Sequence, residues 1–329
     1  MTIAPEPVSS AAPLRLVISL DVEEEGLFGG GYARHGATVA NVAHLERLAP
    51  LLRDRHLPVT LFCAHSVFAD AAACAALERF REQCEVEIGA HLHHWNTPPV
   101  QEGGPGYVDA GSVPEAILEA KLRALFEAGR NFQGAPLTSF RMGRWDLRRN
   151  LWPLLARAGV RVDASVRPLH CGRGGPDHYD APSDPYPVEV NGAELLEVPL
   201  TCTPLFPALP DWVRHCGAGA RGSLQKWGAL ALLPVYHPFW AMRAITDLHV
   251  ARGGRVISLT WHSSEMMPGG APHMPDAAAV ERLLRRLEVY LDWLTATWAV
   301  EGLTMGELRR RLTPAAPCRR AAPKADWIW

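Results

Sequence analysis

Short apolar runs of strand length alternate with amphipathic stretches of helical period along this chain, and that order constrains the fold more than any other feature. Parallel strands need crossovers of about a dozen residues, usually helical, so the alternation predicts a parallel sheet built from βα units. Apolar runs at 14–20, 59–63, 84–88, 137–140, 160–164, 195–200 and 256–261 predict seven strands. Between them, 39–53 carries Val39, Val42, Leu45 and Leu48 at helical spacing, and 71–81 predicts a second helix. A third, 114–129, opens on Pro114 and closes on Gly129. A long helix over 277–298 sets Leu283, Leu284, Leu287, Leu291 and Leu294 on one stripe.

With 329 residues the chain suits one or two domains, and no repeat or low-complexity linker divides it. We therefore expect one body over 14–312, with tails at 1–13 and 313–329. Hydrophobic residues at 48% and charged residues at 21% exclude a disordered chain, and a net charge of −2 gives no basic surplus for nucleic acid. The seven cysteines are scattered with no Cys-x-x-Cys pair, which suits a reducing compartment. No signal peptide is read at the N-terminus, so the expected location is cytoplasmic. The longest uncharged stretch, 227–242, falls short of the roughly 20 residues that span a bilayer. It reads as a buried or substrate-facing loop and helix, with peripheral contact to a membrane or partner as the other reading. The 28 prolines and 11 tryptophans point to ordered loops and to aromatic surfaces that grip sugars or close a pocket.

Chemistry-bearing residues follow the strands. After the first comes Ser19-Leu20-Asp21-Val22-Glu23-Glu24-Glu25, in which Asp21 and Glu23 face one side if the chain stays extended. Two close carboxylates call for a cation or a proton between them, although the same acids would suit a solvated strand end. After the third comes His91-Leu92-His93-His94-Trp95. His91 and His93 share a face on an extended chain, His91 and His94 on a helical one. Either pair with a carboxylate makes the donor set of a catalytic zinc or similar divalent ion. The fourth strand ends in Arg141-Met142-Gly143-Arg144-Trp145, where Arg141 can hold a carboxylate and Gly143 lets backbone come close. The fifth carries Asp163-Ala164-Ser165, and the last ends in Thr260-Trp261-His262 before Ser263-Ser264-Glu265. A histidine at that end acts as a general acid if an acid such as Asp163 keeps it charged.

In this order the clusters resemble the polysaccharide deacetylase family, the nodulation-type carbohydrate esterases. The counterparts of its five motifs are Ser19 to Glu23, His91 to Trp95, Arg141 to Trp145, Asp163 to Ser165, and Leu259 to His262, and Leu57 to Phe62 looks like its second strand. The likeness covers 14–308. Two departures stand out. Val22 occupies the family's acidic ligand position, so the duty passes to Glu23. Trp95 stands where the family's second histidine ligand would be, so His93, with His94 as second choice, replaces it.

The resemblance implies a distorted (β/α) barrel of about seven parallel strands, enlarged by long loops such as 169–212, with its site at the carboxyl ends of the strands. It further implies a divalent metal, with Zn2+ the expected ion, on Glu23, His91 and His93, and hydrolysis of an N-acetyl group on an amino sugar. Asp21 would be the base, Arg141 its orienting partner, and His262, charged through Asp163, the acid. Trp95 and Trp145 would stack on the sugar. A cyclic amidase of the same barrel and a non-catalytic carbohydrate binder are the competing expectations.

Overall fold

The computed structural model describes residues 12–101, 109–148, 150–171 and 175–312, so the tails expected at 1–13 and 313–329 lie outside the described residues but for 12 and 13. Seven strands run parallel: β1 (Leu14–Val22), β2 (Val59–Ala64), β3 (Val86–Leu92), β4 (Ser139–Met142), β5 (Val162–Asp163), and further along the chain β7 (Ala193–Glu197) and β10 (Val256–His262). Their spatial order is β10-β1-β2-β3-β4-β5-β7, as expected of a curled (β/α) sheet. β6 (Tyr186–Val190) adds an antiparallel edge to β7, and β11 (Val300–Gly302) pairs the start of β1. β8 (Cys202–Pro204) and β9 (Ala229–Ala231) form a separate two-stranded ribbon.

The pairing stops at β10 on one side and β6 on the other. Side chains bridge part of this opening: the Ser258 N–H of β10 donates to Thr201 Oγ1 at 2.8 Å, just before β8. The central strands are buried throughout, β2 along its entire length, as a parallel sheet covered on both faces requires. The stripe predicted on the final helix faces this core from Ala277–Thr297, where Leu283, Leu287, Leu291 and Leu294 are buried.

Three boundaries differ in instructive ways. The helix expected over 39–53 is a 3-10 turn series, Ala40–Leu48, passing into a short α-helix, Ala49–Arg53. Pro50, which has no N–H to give, stands at the junction. β3 begins two residues later and ends four residues later than expected, taking in His91, and β1 takes in Asp21 and Val22. The uncharged stretch 227–242 is buried on one side only: Leu232 and Met242 join the core, whereas Trp227 and Trp240 are 75% and 72% exposed.

Gly89 is the tightest point of the sheet beneath the site. A Cβ there would lie 2.7 Å from Phe62 Cδ1 and 3.1 Å from the Ser139 carbonyl oxygen. Gly89→Ala is expected to cost about 1–3 kcal/mol through overpacking, seen as a lower urea midpoint at unchanged slope.

Candidate active site and metal centre

Sheet register delivers the site. Asp21 on β1 pairs with His262 on β10, and His91 on β3 pairs with Arg141 on β4. Partners in a parallel register project to the same face, so each pair is set side by side by backbone hydrogen bonds alone. Arg141 is wholly buried. Its Nη1 donates to Asp21 Oδ1 at 2.6 Å and to Thr260 Oγ1 at 2.8 Å, Nη2 to Ser19 Oγ at 2.8 Å, and Nε to the Ala164 carbonyl at 2.9 Å. The guanidinium also lies 4.3 Å from the ring centroid of Phe62. Burial would push the Asp21 carboxyl up, but Arg141, with His91 and His262, overrules it and holds the carboxyl down at about 2.

Glu23, His91 and His93 converge. Glu23 Oε2 sits 3.2 Å from His91 Nε2 and 3.1 Å from His93 Nε2, and the three donor atoms lie within 4.8 Å of one another. The far nitrogens fix the tautomers: His91 Nδ1 faces the Arg141 carbonyl at 3.1 Å, and His93 Nδ1 faces Glu24 Oε1 at 3.0 Å. With Nδ1 turned to these partners, each ring presents Nε2 toward Glu23, the atom at which a metal ion would replace a proton. Two imidazoles and a carboxylate, all buried and aimed at one point, therefore fit a divalent ion of the hydrolytic zinc kind. His94 lies outside this cluster.

Glu24 is a contributor that the sequence left without a role. Its buried carboxylate also accepts from Trp95 Nε1 at 3.2 Å, Asn96 Nδ2 at 2.7 Å and Ser66 Oγ at 3.1 Å. Burial opposes its ionisation, but His93 and these donors hold the carboxyl at about 2. Burial likewise disfavours the His93 cation, and Glu24 with Glu23 outweighs it, raising the ring to about 10. Gly143 makes room beside that ring, since a Cβ there would fall 2.5 Å from His93 Cδ2 and 2.8 Å from the Leu92 oxygen. Below the histidines, Lys121 Nζ ties down the chain by donating to the Thr97 and Pro99 carbonyls, each at 2.6 Å.

Two expectations need correction. Asp163 does not hold His262, because four strands separate β5 from β10 and the Asp163 carboxyl is engaged elsewhere. Ser165 Oγ donates to it at 2.7 Å, and it pairs with the buried Glu197; burial raises the Asp163 carboxyl, and burial together with Asp163 raises that of Glu197. The partner of His262 is Glu265: its Oε2 lies 3.0 Å from His262 Nδ1 and accepts the His262 backbone N–H at 2.9 Å. Burial lowers the imidazole and Glu265 more than restores it, to about 9. Glu265 is itself held from its other side by His273 Nε2, at 2.6 Å. A residue opening a turn with Glu three positions on is a capping-box pattern, a signal present in His262-Ser263-Ser264-Glu265. Trp95, expected on the sugar, is buried and stacked on His93 at 4.2 Å, so that face is already covered. Trp145 is half-buried, its ring 5.3 Å from the Arg141 guanidinium, and remains at the mouth.

His262 Nε2 stands 3.8 Å from Asp21 Oδ2, and Phe28 is edge-on to both His262 and His273, at 4.8 and 5.1 Å. The cluster thus has an ionised acceptor and a cationic donor beside one metal-type donor set, on the carboxyl ends of parallel strands, which is the layout of hydrolytic barrels.

No family model and no curated protein matches the sequence. Solved structures do match the fold. A Mycobacterium smegmatis protein described as a polysaccharide deacetylase superposes with a TM-score of 0.57 at 19% identity, over 97% of this chain and 99% of that one. PuuE allantoinase gives 0.57 at 15% identity over 94% and 93%. A 4-alpha-glucanotransferase from Thermococcus litoralis gives 0.54 at 11% identity, over 92% of this chain and 41% of that one. The chain therefore has the fold found in polysaccharide deacetylases. Proteins of other activities share it, so the function has to be argued from the site.

Glu24→Gln is expected to weaken zinc binding about 10–100-fold, because His93 loses the anion that fixes its tautomer. Competition with a chromogenic chelator measures this, and wild-type affinity in the variant would overturn the role.

Proposed function

We propose that the chain is a metal-dependent hydrolase of the polysaccharide deacetylase family, removing an N-acetyl group from an amino sugar of a polysaccharide or envelope-glycan precursor. The observation that carries this reading is the convergence of Glu23, His91 and His93 beside an Arg141-held Asp21 and a Glu265-held His262. A divalent ion such as Zn2+ on those three residues supplies Lewis acidity to the amide oxygen and makes an attacking water more acidic. Asp21 takes the proton of that water on Oδ2, the oxygen that Arg141 Nη1 leaves open. His262 gives its Nε2 proton to the departing amine nitrogen, and Glu265 keeps the ring oriented and cationic until it does. Acetate and the free amino sugar leave. Phe28 closes one side of the acid against water. Trp145 is the aromatic wall left for the sugar ring. The described cysteines are unpaired, and among the described residues no helix is long and apolar enough to cross a membrane. Free thiols suit a cytoplasmic location, with peripheral membrane contact through Trp227 and Trp240 compatible with it.

The test is acetate release from acetylated amino sugars with zinc supplied. Activity should disappear on chelation and return with zinc, and Asp21→Asn should lower kcat by about 10²–10⁴-fold while substrate still binds. A zinc-loaded protein that releases acetate from none of them refutes the reading. The equal likeness to PuuE allantoinase makes a cyclic amide the second substrate to assay.

The pH profile supplies a separate check. The acid must be protonated, and His262 is raised to about 9, so kcat/KM should fall as pH rises through about 9. Asp21, down at about 2, leaves the base ionised across the neutral range. Glu265→Gln removes the anion that raises His262, so its alkaline limb should move down by at least about one pH unit.

A further inference from the structure

Glu265 meets His262 with one of its two oxygens, and the other is held by a residue that the hydrolytic scheme has not yet used. Oε2 lies 3.0 Å from His262 Nδ1 and accepts the His262 N–H at 2.9 Å. Oε1 lies 2.6 Å from His273 Nε2, and among the described residues nothing else donates to it. The Glu265 side chain is 1% exposed, so solvent does not stand in for that donor. A buried carboxylate with one oxygen unmet either turns toward water or takes up a proton, and each outcome takes the anion from His262.

Several residues serve to place His273. Past the turn that carries Glu265 the chain doubles back: the Gly270 N–H donates to the Met267 carbonyl at 3.0 Å, the Gly269 N–H to Met274 at 2.7 Å, and the Met274 N–H to Ala271 at 2.9 Å. Gly269 has a φ of +78°, and a Cβ on Gly270 would fall 2.0 Å from the Ser264 carbonyl oxygen, so both positions require glycine. Ala271 and Met274, on either side of His273 in sequence, are buried in the core and anchor the turn. The His273 ring is only 28% exposed. It lies 5.1 Å from Phe28, which is also edge-on to His262 at 4.8 Å, and 5.2 Å from Tyr236. Three segments distant in sequence thus hold the ring that meets Glu265.

We propose that His273 is a positioning residue for the acid: by donating to Glu265 Oε1 it fixes the carboxylate that orients His262, so that His262 turns Nε2 toward Asp21 and the departing amine. The line His273–Glu265–His262 then works as one unit, with His273 at the rim and His262 at the reacting atoms. Its effect on turnover rests on the hydrolase reading, whereas the bond between Glu265 and His262 can be read without turnover.

The full-length, zinc-loaded protein, isotope-labelled at histidine, gives the first readout: the low-field proton resonance of the His262 Nδ1–H, assigned by its absence from His262→Gln. His273→Gln keeps an Nε2 donor without the ring, and His273→Phe keeps a ring without the donor. The resonance should persist in His273→Gln and be lost from His273→Phe and His273→Ala. In acetate release, His273→Phe and His273→Ala should lose about 10–100-fold in kcat with KM within about twofold of wild type, and His273→Gln should regain most of that loss. His273→Phe equal to wild type in both readouts makes the residue a packing element, and a raised KM at unchanged kcat makes it a substrate contact. Either result overturns the proposal, as does an unchanged His273→Ala. If His273→Ala gives no cooperative melt, the comparison of His273→Phe with His273→Gln decides. The two readings separate cleanly: a resonance lost from His273→Phe with no turnover by any form, wild type included, removes the hydrolase reading and keeps the positioning role. Turnover by the wild type with a resonance indifferent to residue 273 does the reverse.

Discussion

The buried pair between Arg141 and Asp21 is the interaction on which the rest of the structure turns. One guanidinium gathers β1 through Asp21 and Ser19, β10 through Thr260, the exit of β5 through the Ala164 carbonyl, and β2 through the Phe62 face. A charge buried this deeply is tolerable only when every donor is met, and removal of one partner from such a pair typically costs about 3–5 kcal/mol. The same satisfied network keeps Asp21 ionised, so the bond that organises the sheet also readies the carboxylate for the base role proposed for it.

Around that pair, each histidine of the site has a named partner on its far nitrogen. The Arg141 carbonyl serves His91, Glu24 serves His93, and Glu265 serves His262. The partners differ in charge, and the difference separates the roles. A neutral carbonyl holds His91 by its Nδ1 and leaves its Nε2 facing Glu23. A carboxylate that itself accepts from Trp95, Asn96 and Ser66 fixes the tautomer of His93. The carboxylate of Glu265, shared with His273, keeps His262 cationic. Three acids close in sequence, Asp21, Glu23 and Glu24, thus serve three environments: Asp21 meets Arg141, Glu23 the two Nε2 atoms, and Glu24, the next residue along, the far side of His93.

Much of this was legible in sequence for a physical reason: a strand buried on both faces is a continuous apolar run, and the first polar residues after it must lie at the rim. That located Asp21, Glu23, His91, Arg141 and His262 together. Partnership among distant residues is not written in the same way. Asp163 and Glu265 are equally acidic on paper, and only the folded chain shows that four strands separate Asp163 from His262 along the sheet and that Asp163 is matched with Glu197. Glu265 carried a local signal in its spacing, which outweighs a long-range guess. Trp95 shows another limit: an aromatic residue beside a ligand can face the substrate or back the ligand, and its indole N–H bond to Glu24 selects the second. The short β8–β9 ribbon has too few residues for a period to register.

The part of the chain least legible in sequence is also the part that distinguishes it from a generic barrel. Between β7 and β10 the chain leaves the parallel pattern, bridges the open side through Thr201 and Ser258, and returns through β9 to the Tyr236 turn. Because the parallel strands carry the proposed hydrolytic set, this excursion is free to shape what the cleft accepts. Reaction chemistry and substrate selection therefore reside on separable elements. Changes between β7 and β10 can retune specificity while the register pairs Asp21 with His262 and His91 with Arg141 stay in place.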